Sequence, residues 1–169
     1  RGATKKPMTI KLRKSDNAIE IARMAERVGV DAIGIHARTF GQGYSGEVDY
    51  DFALELKKAV AVPVIYSGNV DVGNAKKILK DFDFVFVGRA AIRDPGIFAR
   101  LIGRDDKISF GDYLNLAKKY KLFFRQVKFQ AMNFSRGLKG ARAVRRELMM
   151  AGDVGDIKRV MLGQWVKNK

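Results

Sequence analysis

Cysteine is absent from the 169 residues, which excludes disulfides, a thiolate metal site and a thiol nucleophile. Long apolar runs are missing too, so a membrane span is not expected. The first residues, Arg1 to Lys6, are basic, but no apolar segment follows them, and no secretory signal is legible. These absences make a soluble, cytoplasmic protein without a metal site the expectation. Acidic residues are scarce: 18 Asp and Glu stand against 33 Lys and Arg, a formal net charge of +15. The imbalance is uneven, with 16 basic and 6 acidic residues from Arg104 onward. Such a surface attracts polyphosphate through counterion release. A solvated surface in a cell of high salt or heat is the plainer alternative; the asymmetry favours a nucleic-acid partner.

What is present is a folded core, since 47% of the residues are apolar. Up to about residue 104 one pattern recurs four times: an apolar run, a turn, an amphipathic helix, a short loop. Strands are expected over 8–12, 32–35, 62–66 and 84–87, and helices over 18–28, 50–59, 72–80 and 97–102. The strands are short and nearly continuous in apolar residues, as in parallel sheets covered on both faces. Asn17 with Glu20 reads as a capping box, Asp49 and Asp71 as helix caps, and Gly29 as a helix terminator. Ile19, Ile21, Ala22, Met24, Ala25 and Val28 form a broad apolar stripe. Four βα units with right-handed crossovers leave a barrel portion or a doubly wound sheet. From about residue 105 strand patterns vanish, and four basic helical segments follow, broken at Gly137 to Gly140. The expected domains are therefore 1–104 and 105–169, the second a small all-α bundle.

Polar residues recur at the C-terminal ends of the expected strands: Lys11, His36, then Ser67-Gly68-Asn69, then Gly88-Arg89. Functional residues of parallel barrels occupy that rim, where the following loops converge. Gly88 lets a backbone approach a phosphate, and Arg89 can bind its oxygens. A cationic Lys11 can stabilise negative charge on a reduced isoalloxazine ring, and His36 and Asn69 can orient a cofactor by hydrogen bonds. Plainer roles are open to each: an edge-strand lysine for Lys11, a core histidine for His36, and a rim ion pair with Asp94 for Arg89. Gly41-Gln42-Gly43-Tyr44-Ser45-Gly46 matches a dinucleotide fingerprint literally, but it neither follows a strand directly nor opens a helix, so it reads as a loop.

Several segments together resemble tRNA-dihydrouridine synthases. Pro7-Met8-Thr9-Ile10-Lys11-Leu12-Arg13 is similar to that family's Pro-Val-Thr/Ser-Val-Lys-x-Arg strand. His36-Ala37-Arg38-Thr39 with Gln42, Tyr44, Ser45 and Gly46 resembles its His-x-Arg-Thr segment. Pro63-Val64-Ile65-Tyr66-Ser67-Gly68-Asn69 and Val87-Gly88-Arg89-Ala90-Ala91, with Asp94-Pro95 and Phe98, resemble its later strands. Gly137-Leu138-Lys139-Gly140-Ala141-Arg142 is similar to a stretch of its helical domain.

The resemblance implies an α/β fold: the second half of a TIM (β/α)8 barrel, four βα units forming strands five to eight, followed by the helical bundle that binds tRNA. It implies FMN as cofactor, with Lys11, His36, Ser67, Gly68, Asn69, Gly88 and Arg89 around it, and NADPH as reductant. Arg38 is implied as a contact to the flipped uridine, and Lys128, Arg136, Lys139, Arg142, Arg145 and Arg146 as RNA contacts. The family reduces the C5=C6 bond of uridine in tRNA, with hydride from flavin to C6 and a proton from a cysteine thiol to C5. Two departures are visible: Ser67 stands where Asn is usual, and Lys128-Phe129-Gln130 where Arg-Lys-His is common. The cysteine segment belongs to the family's first barrel half, so this chain holds no catalytic residue and alone is expected to be inactive. Beginning at Arg1 fits a fragment of a longer protein; a half-barrel completed by the missing N-terminal half, or by a second copy, is the matching expectation.

Two other readings remain. One is a different FMN barrel, such as a relative of dihydroorotate dehydrogenase. The other is an RNA-binding module whose half-barrel is only scaffold. Its basis is the interleaving of Lys118, Lys119, Lys121, Arg125 and further cations with Tyr120, Phe123, Phe124, Phe129 and Phe134. Most of those aromatics are expected in the helical core.

Overall fold

Short runs rich in β-branched and, in the last two strands, aromatic residues set the sheet. In the computed structural model, which describes residues 2–167 and the side chains as far as residue 163, the order begins with β1 (Thr9–Arg13), α1 (Ala18–Arg27), β2 (Ala32–His36) and α2 (Tyr50–Ala59). It continues with β3 (Val64–Ser67), α3 (Ala75–Ile78) and β4 (Phe84–Phe86). The four strands form one parallel sheet in sequence order. Register pairs Lys11 with Gly34, Gly34 with Ile65 and Ile65 with Phe84, and then Arg13 with His36, His36 with Ser67 and Ser67 with Phe86.

Because strand side chains alternate, these register rows share one face and the intervening residues share the other. Ile33, Ile35, Val64 and Tyr66 are buried on one face, the side where α1 and α2 supply Ala18, Ala22, Ala53 and Leu56 to the core. The opposite face is uncovered at its β4 edge: Phe84 is 56% exposed and Phe86 41%. The sheet is therefore not yet two-sided in its burial. This differs from the expectation of strands covered on both faces.

Local signals were met unevenly. Asp49 caps α2, its carboxylate accepting the Phe52 N–H at 2.9 Å. Gly29 terminates the first helix at φ 87°. The Asn17 capping box does not form; the Asn17 side chain accepts from the Ser15 hydroxyl at 3.0 Å instead. The first helix's apolar stripe is also narrower than expected, with Met24 and Val28 exposed. Helix α3 is one turn long, because Asp71 and Asn74 tie residues 71–74 into a turn. Asp71 accepts the N–H groups of Gly73 and Asn74, and Asn74 accepts that of Asp71.

The chain divides into two compact units after Gly88, ahead of the boundary expected at residue 104. The second unit contains α4 (Arg89–Arg93), α5 (Ile97–Leu101), α6 (Phe110–Lys119), α7 (Phe124–Phe134), α8 (Ala141–Met150) and α9 (Val154–Lys167). The short α4 packs on α7, where Gln130 donates from its amide to the Ile92 carbonyl at 2.6 Å. That contact gives a physical reason for the earlier division. Phe110, Ala117, Val127, Ala131, Val144, Leu148, Ile157 and Met161 make a common core for α6 to α9. Ser109 and Asp112 form a capping box at the start of α6.

Candidate functional site

The uncovered sheet face carries the charge and the polar groups singled out in the sequence. Lys11, His36 and Ser67 lie on it by register, Lys11 at the middle of β1 and His36 and Ser67 at the C-terminal ends of β2 and β3. Gly34 is the reason a long side chain can cross there. A Cβ at that position would stand 3.0 Å from a Phe86 ring carbon and 3.4 Å from Lys11 Cγ. Phe86 and Lys11 thus close over Gly34 from either side, and the Lys11 ammonium sits 5.1 Å from the Phe86 ring centre. Lys11 is exposed, and this cation–π contact biases its ammonium toward the face. Phe86 had no assigned role in the sequence; the Phe84-Val85-Phe86 alternation is the signal that could have found it.

Gly68 and Asn69 follow β3 directly. Gly68 is obligatory for steric reasons, since a Cβ there would meet Val48 Cγ1 at 2.8 Å. Asn69 adopts a left-handed φ of 48°, and its carbonyl accepts the Asn74 amide at 2.8 Å. Asn74, which the sequence reading used for nothing, therefore pins the backbone of the strand tip. At Gly88 the situation is opposite: nothing stands within 4 Å of an added Cβ. No neighbour among the described residues demands a glycine there, which leaves room for a ligand. Arg89 opens α4 in the second unit. The plainer partner considered for it is engaged elsewhere, because Asp94 pairs with Arg100.

Beside the tips runs the glycine-containing loop of residues 37–48, and cations clamp it. Arg13 donates to the carbonyls of Thr39 and Phe40 at 3.3 and 3.5 Å. Lys14 pairs with Asp49, whose carboxyl is held below the usual carboxylate range by that ammonium and by the Phe52 N–H. Thr39 and Gln42 bond reciprocally, backbone to side chain, at 2.8 and 3.2 Å. Arg38 lies beneath this loop, 1% exposed, and donates from its guanidinium to the Ser45 carbonyl. Burial pushes the Tyr66 phenol up, opposed by the nearby Arg38 charge. So Arg38 props the loop from below, and direct contact to a substrate is not what this placement offers. Its Nε has no hydrogen-bond partner among the described residues.

In the second unit the six expected RNA contacts separate into two sets. Arg136 and Lys139 are exposed on the α7–α8 turn, where Gly137 and Gly140 supply left-handed backbone at φ 87° and 73°. Arg142 and Arg146 follow one helical turn apart on α8 and are exposed, with Arg145 half-buried beside them. Lys128 is different. Its ammonium donates to the carbonyls of Met149 and Ala151 at 2.7 and 2.9 Å, closing the C-terminus of α8. The aromatics also depart from expectation: Phe124 and Phe134 pack on the core, but Tyr120, Phe123 and Phe129 are 66%, 78% and 60% exposed. No helix among the described residues is long and apolar enough to cross a membrane.

The geometry can be set beside known proteins. A family model described as Dihydrouridine synthase (Dus) matches residues 1–156. The tRNA-dihydrouridine synthase B of Pseudomonas aeruginosa is 32% identical over 119 residues, covering 66% of this chain and 35% of that protein. A probable tRNA-dihydrouridine synthase of Rickettsia bellii is 36% identical over 107 residues, covering 59% of this chain and 33% of that protein. The tRNA-dihydrouridine synthase B of Pasteurella multocida is 27% identical over 150 residues, 84% of this chain and 45% of that protein. The chain spans between a third and a half of the length of these relatives. With the family model running through both units, the chain belongs to the dihydrouridine synthase family.

Proposed function

We propose that this chain is the flavin-and-tRNA-binding C-terminal part of an FMN-dependent tRNA-dihydrouridine synthase, with residues 1–104 forming strands five to eight of a (β/α)8 barrel and residues 105–169 a helical bundle for tRNA. The observation that carries the reading is the convergence of Lys11, His36 and Ser67 on one uncovered sheet face, beside a loop braced by Arg13, Lys14 and Arg38. Family membership sets aside the other flavin barrels.

The residues present fit FMN. The missing side chains of Gly34 and Gly88 leave room for Lys11 and for a ligand respectively, and the Lys11 ammonium, on a face that also carries Arg13, His36 and Ser67, suits an anionic planar group. Lys11, His36, Ser67, Gly68 and Asn69 would line the flavin, with Gly88 and Arg89 as the proposed phosphate ligands. When bound, FMN supplies hydride to C6 of the uridine and is recharged by NADPH. Lys11 contributes positive charge, biased toward the face by Phe86. His36 and Ser67 contribute hydrogen bonds at adjacent strand ends, and Asn74 keeps Asn69 in its left-handed conformation. Arg38 acts on substrate through the loop it supports. Arg136, Lys139, Arg142, Arg145 and Arg146 contact tRNA phosphates.

The chain has no cysteine, so the thiol that protonates C5 in the family's reaction is not its own, and turnover by the chain alone is not proposed. The same absence favours RNA binding as the activity that the chain can show unaided. The exposed Phe84 and Phe86 call for a cover, supplied by the first four βα units or by a second copy.

The test joins the chain to the corresponding N-terminal segment of the Pseudomonas relative and titrates FMN by fluorescence quenching. Binding is expected, and Lys11→Ala should weaken it about tenfold, the scale of one lost charge-assisted contact. A folded joined protein that binds no flavin overturns the reading.

A further inference from the structure

The corner between α6 and α7 holds two residues that local stability would not select. Helix α6 ends in a Schellman motif: the Leu122 N–H bonds the Ala117 carbonyl at 2.9 Å, and the Lys121 N–H bonds the Lys118 carbonyl at 3.2 Å. The residue between must be left-handed, and glycine is the usual choice. Here it is Lys121, at φ 52°. Two residues later Phe123 occupies the N-cap of α7, a position that favours Ser, Thr, Asp or Asn. The Phe123 N–H is satisfied instead by the Gln126 side chain at 2.9 Å, and the ring is left 78% exposed.

Both departures put particular chemistry at the surface. Tyr120 is 66% exposed, and the Lys119 ammonium lies 5.4 Å from its ring centre. Lys118, Lys119, Lys121 and Arg125 are all exposed. No carboxylate interrupts the sequence between Asp112 and Glu147, a stretch that holds ten lysines and arginines. Exposed rings among exposed cations match a single-stranded nucleic acid, whose bases offer flat faces and whose backbone is anionic. A paired helix would use the cations but not the rings.

We propose that the α6–α7 corner is a contact for single-stranded RNA, in which Tyr120 and Phe123 stack on unpaired bases while Lys118, Lys119, Lys121 and Arg125 meet the flanking phosphates. It rests on the reading of this chain as an RNA-binding one and adds a site separate from the α8 arginines. Residues that relieve a local conflict at this corner therefore strengthen the fold and weaken RNA binding together.

The experiment uses the whole chain with three probes: a twelve-nucleotide oligouridine, a fully paired RNA hairpin, and vesicles of phosphatidylserine and phosphatidylcholine. The variants are Tyr120→Ala/Phe123→Ser and Lys121→Gly, with melting temperature measured for each. The aromatic pair should weaken oligouridine binding at least about tenfold, at the rate of stacked bases, and leave hairpin binding within about twofold. Lys121→Gly should lower the salt slope for oligouridine by roughly 0.7, with a melting temperature unchanged or raised. Oligouridine affinity that survives the aromatic substitutions overturns the inference, while tRNA binding by the wild type would still stand. Equal losses for oligouridine and hairpin overturn it as well. Vesicle binding that disappears with the aromatics, at unchanged RNA affinity, assigns the corner to a membrane surface and overturns it too. A wild-type chain that binds no RNA at low salt overturns both this inference and the reading beneath it.

Discussion

Replacing Lys128 by methionine keeps most of the side chain's length and removes only its charge, which separates two roles for this residue. Its ammonium closes two carbonyls at the end of α8, Met149 and Ala151, at 2.7 and 2.9 Å. It also lies 5.4 Å from the Phe124 ring centre. A hydrogen bond from a charged donor nets about 1.5–3 kcal/mol, and a cation at a helix C-terminus adds about 0.3–1 kcal/mol. Lys128 is half-buried and one ammonium serves both carbonyls, so the loss should total about 2 kcal/mol. For a unit of this size that lowers the melting temperature by roughly 10 °C. Circular dichroism melts measure it, and a tRNA binding series across salt measures the other role. With Lys128 acting as a cap, the salt slope stays at the wild-type value. An unchanged melting temperature with a slope reduced by about 0.9 would refute the capping argument and return Lys128 to the RNA surface.

Asp83 joins α2 to the start of β3, accepting from Lys57 at 2.5 Å and from the Val64 N–H at 2.7 Å, and its carboxyl is held below the usual range by these two donors. Its contribution is therefore complete above about pH 4 and is lost as pH falls through the depressed value. Because Asp83 is 37% exposed, Asp83→Asn should cost only about 1 kcal/mol at neutral pH, shown by urea unfolding. The difference between variant and wild type should shrink as pH falls below the ordinary carboxylate value of 3.8; a difference that stays constant there contradicts the assignment. Gly34→Ala brings a methyl to 3.0 Å from the Phe86 ring and 3.4 Å from Lys11. Both can shift, so a cost of about 1 kcal/mol is expected, with flavin affinity of the joined protein reduced alongside; wild-type affinity would detach Phe86 from the site. Gly96→Ala is more severe, because its Cβ would meet the Asp106 carbonyl oxygen, a backbone atom, at 2.6 Å. The urea midpoint should fall by the equivalent of about 2 kcal/mol, and an unchanged midpoint would show that residues 104–107 yield without cost.

Much of this was legible because strong local signals coincide with the final fold. The four strands follow apolar runs, the Asp49 cap forms, and Lys11, His36 and Ser67 share one face because parallel register and strand alternation place them there. What escaped depended on which of several available partners each group takes, which residue type alone does not decide. Asn17 reads as a cap until the Ser15 hydroxyl takes its side-chain oxygen. Asp94 reads as a partner for Arg89, and Arg100, six residues further along, pairs with it. Phe86 is unremarkable in a strand pattern until Gly34 leaves it a place to lie. Tyr120 and Phe123 look like core aromatics by type; only the Schellman turn at Lys121 carries them to the surface.

A net charge of +15 overstates the surface available to RNA, because many cations serve the fold. Arg13 and Arg38 hold carbonyls of the 37–48 loop, and Lys14 and Lys57 hold carboxylates. Arg100 holds Asp94, and Lys128 holds the end of a helix. These residues carry the same charge as their neighbours and differ only in what their donors already meet. Lys121 and Lys128 make the point within seven positions of each other. The first accepts a conformation that glycine would adopt more easily and is exposed; the second is tied to two carbonyls. Counterion release counts only charges that come to lie against phosphate. Removing Lys121 should therefore change the salt response and not the fold, whereas removing Lys128 should change the fold and not the salt response.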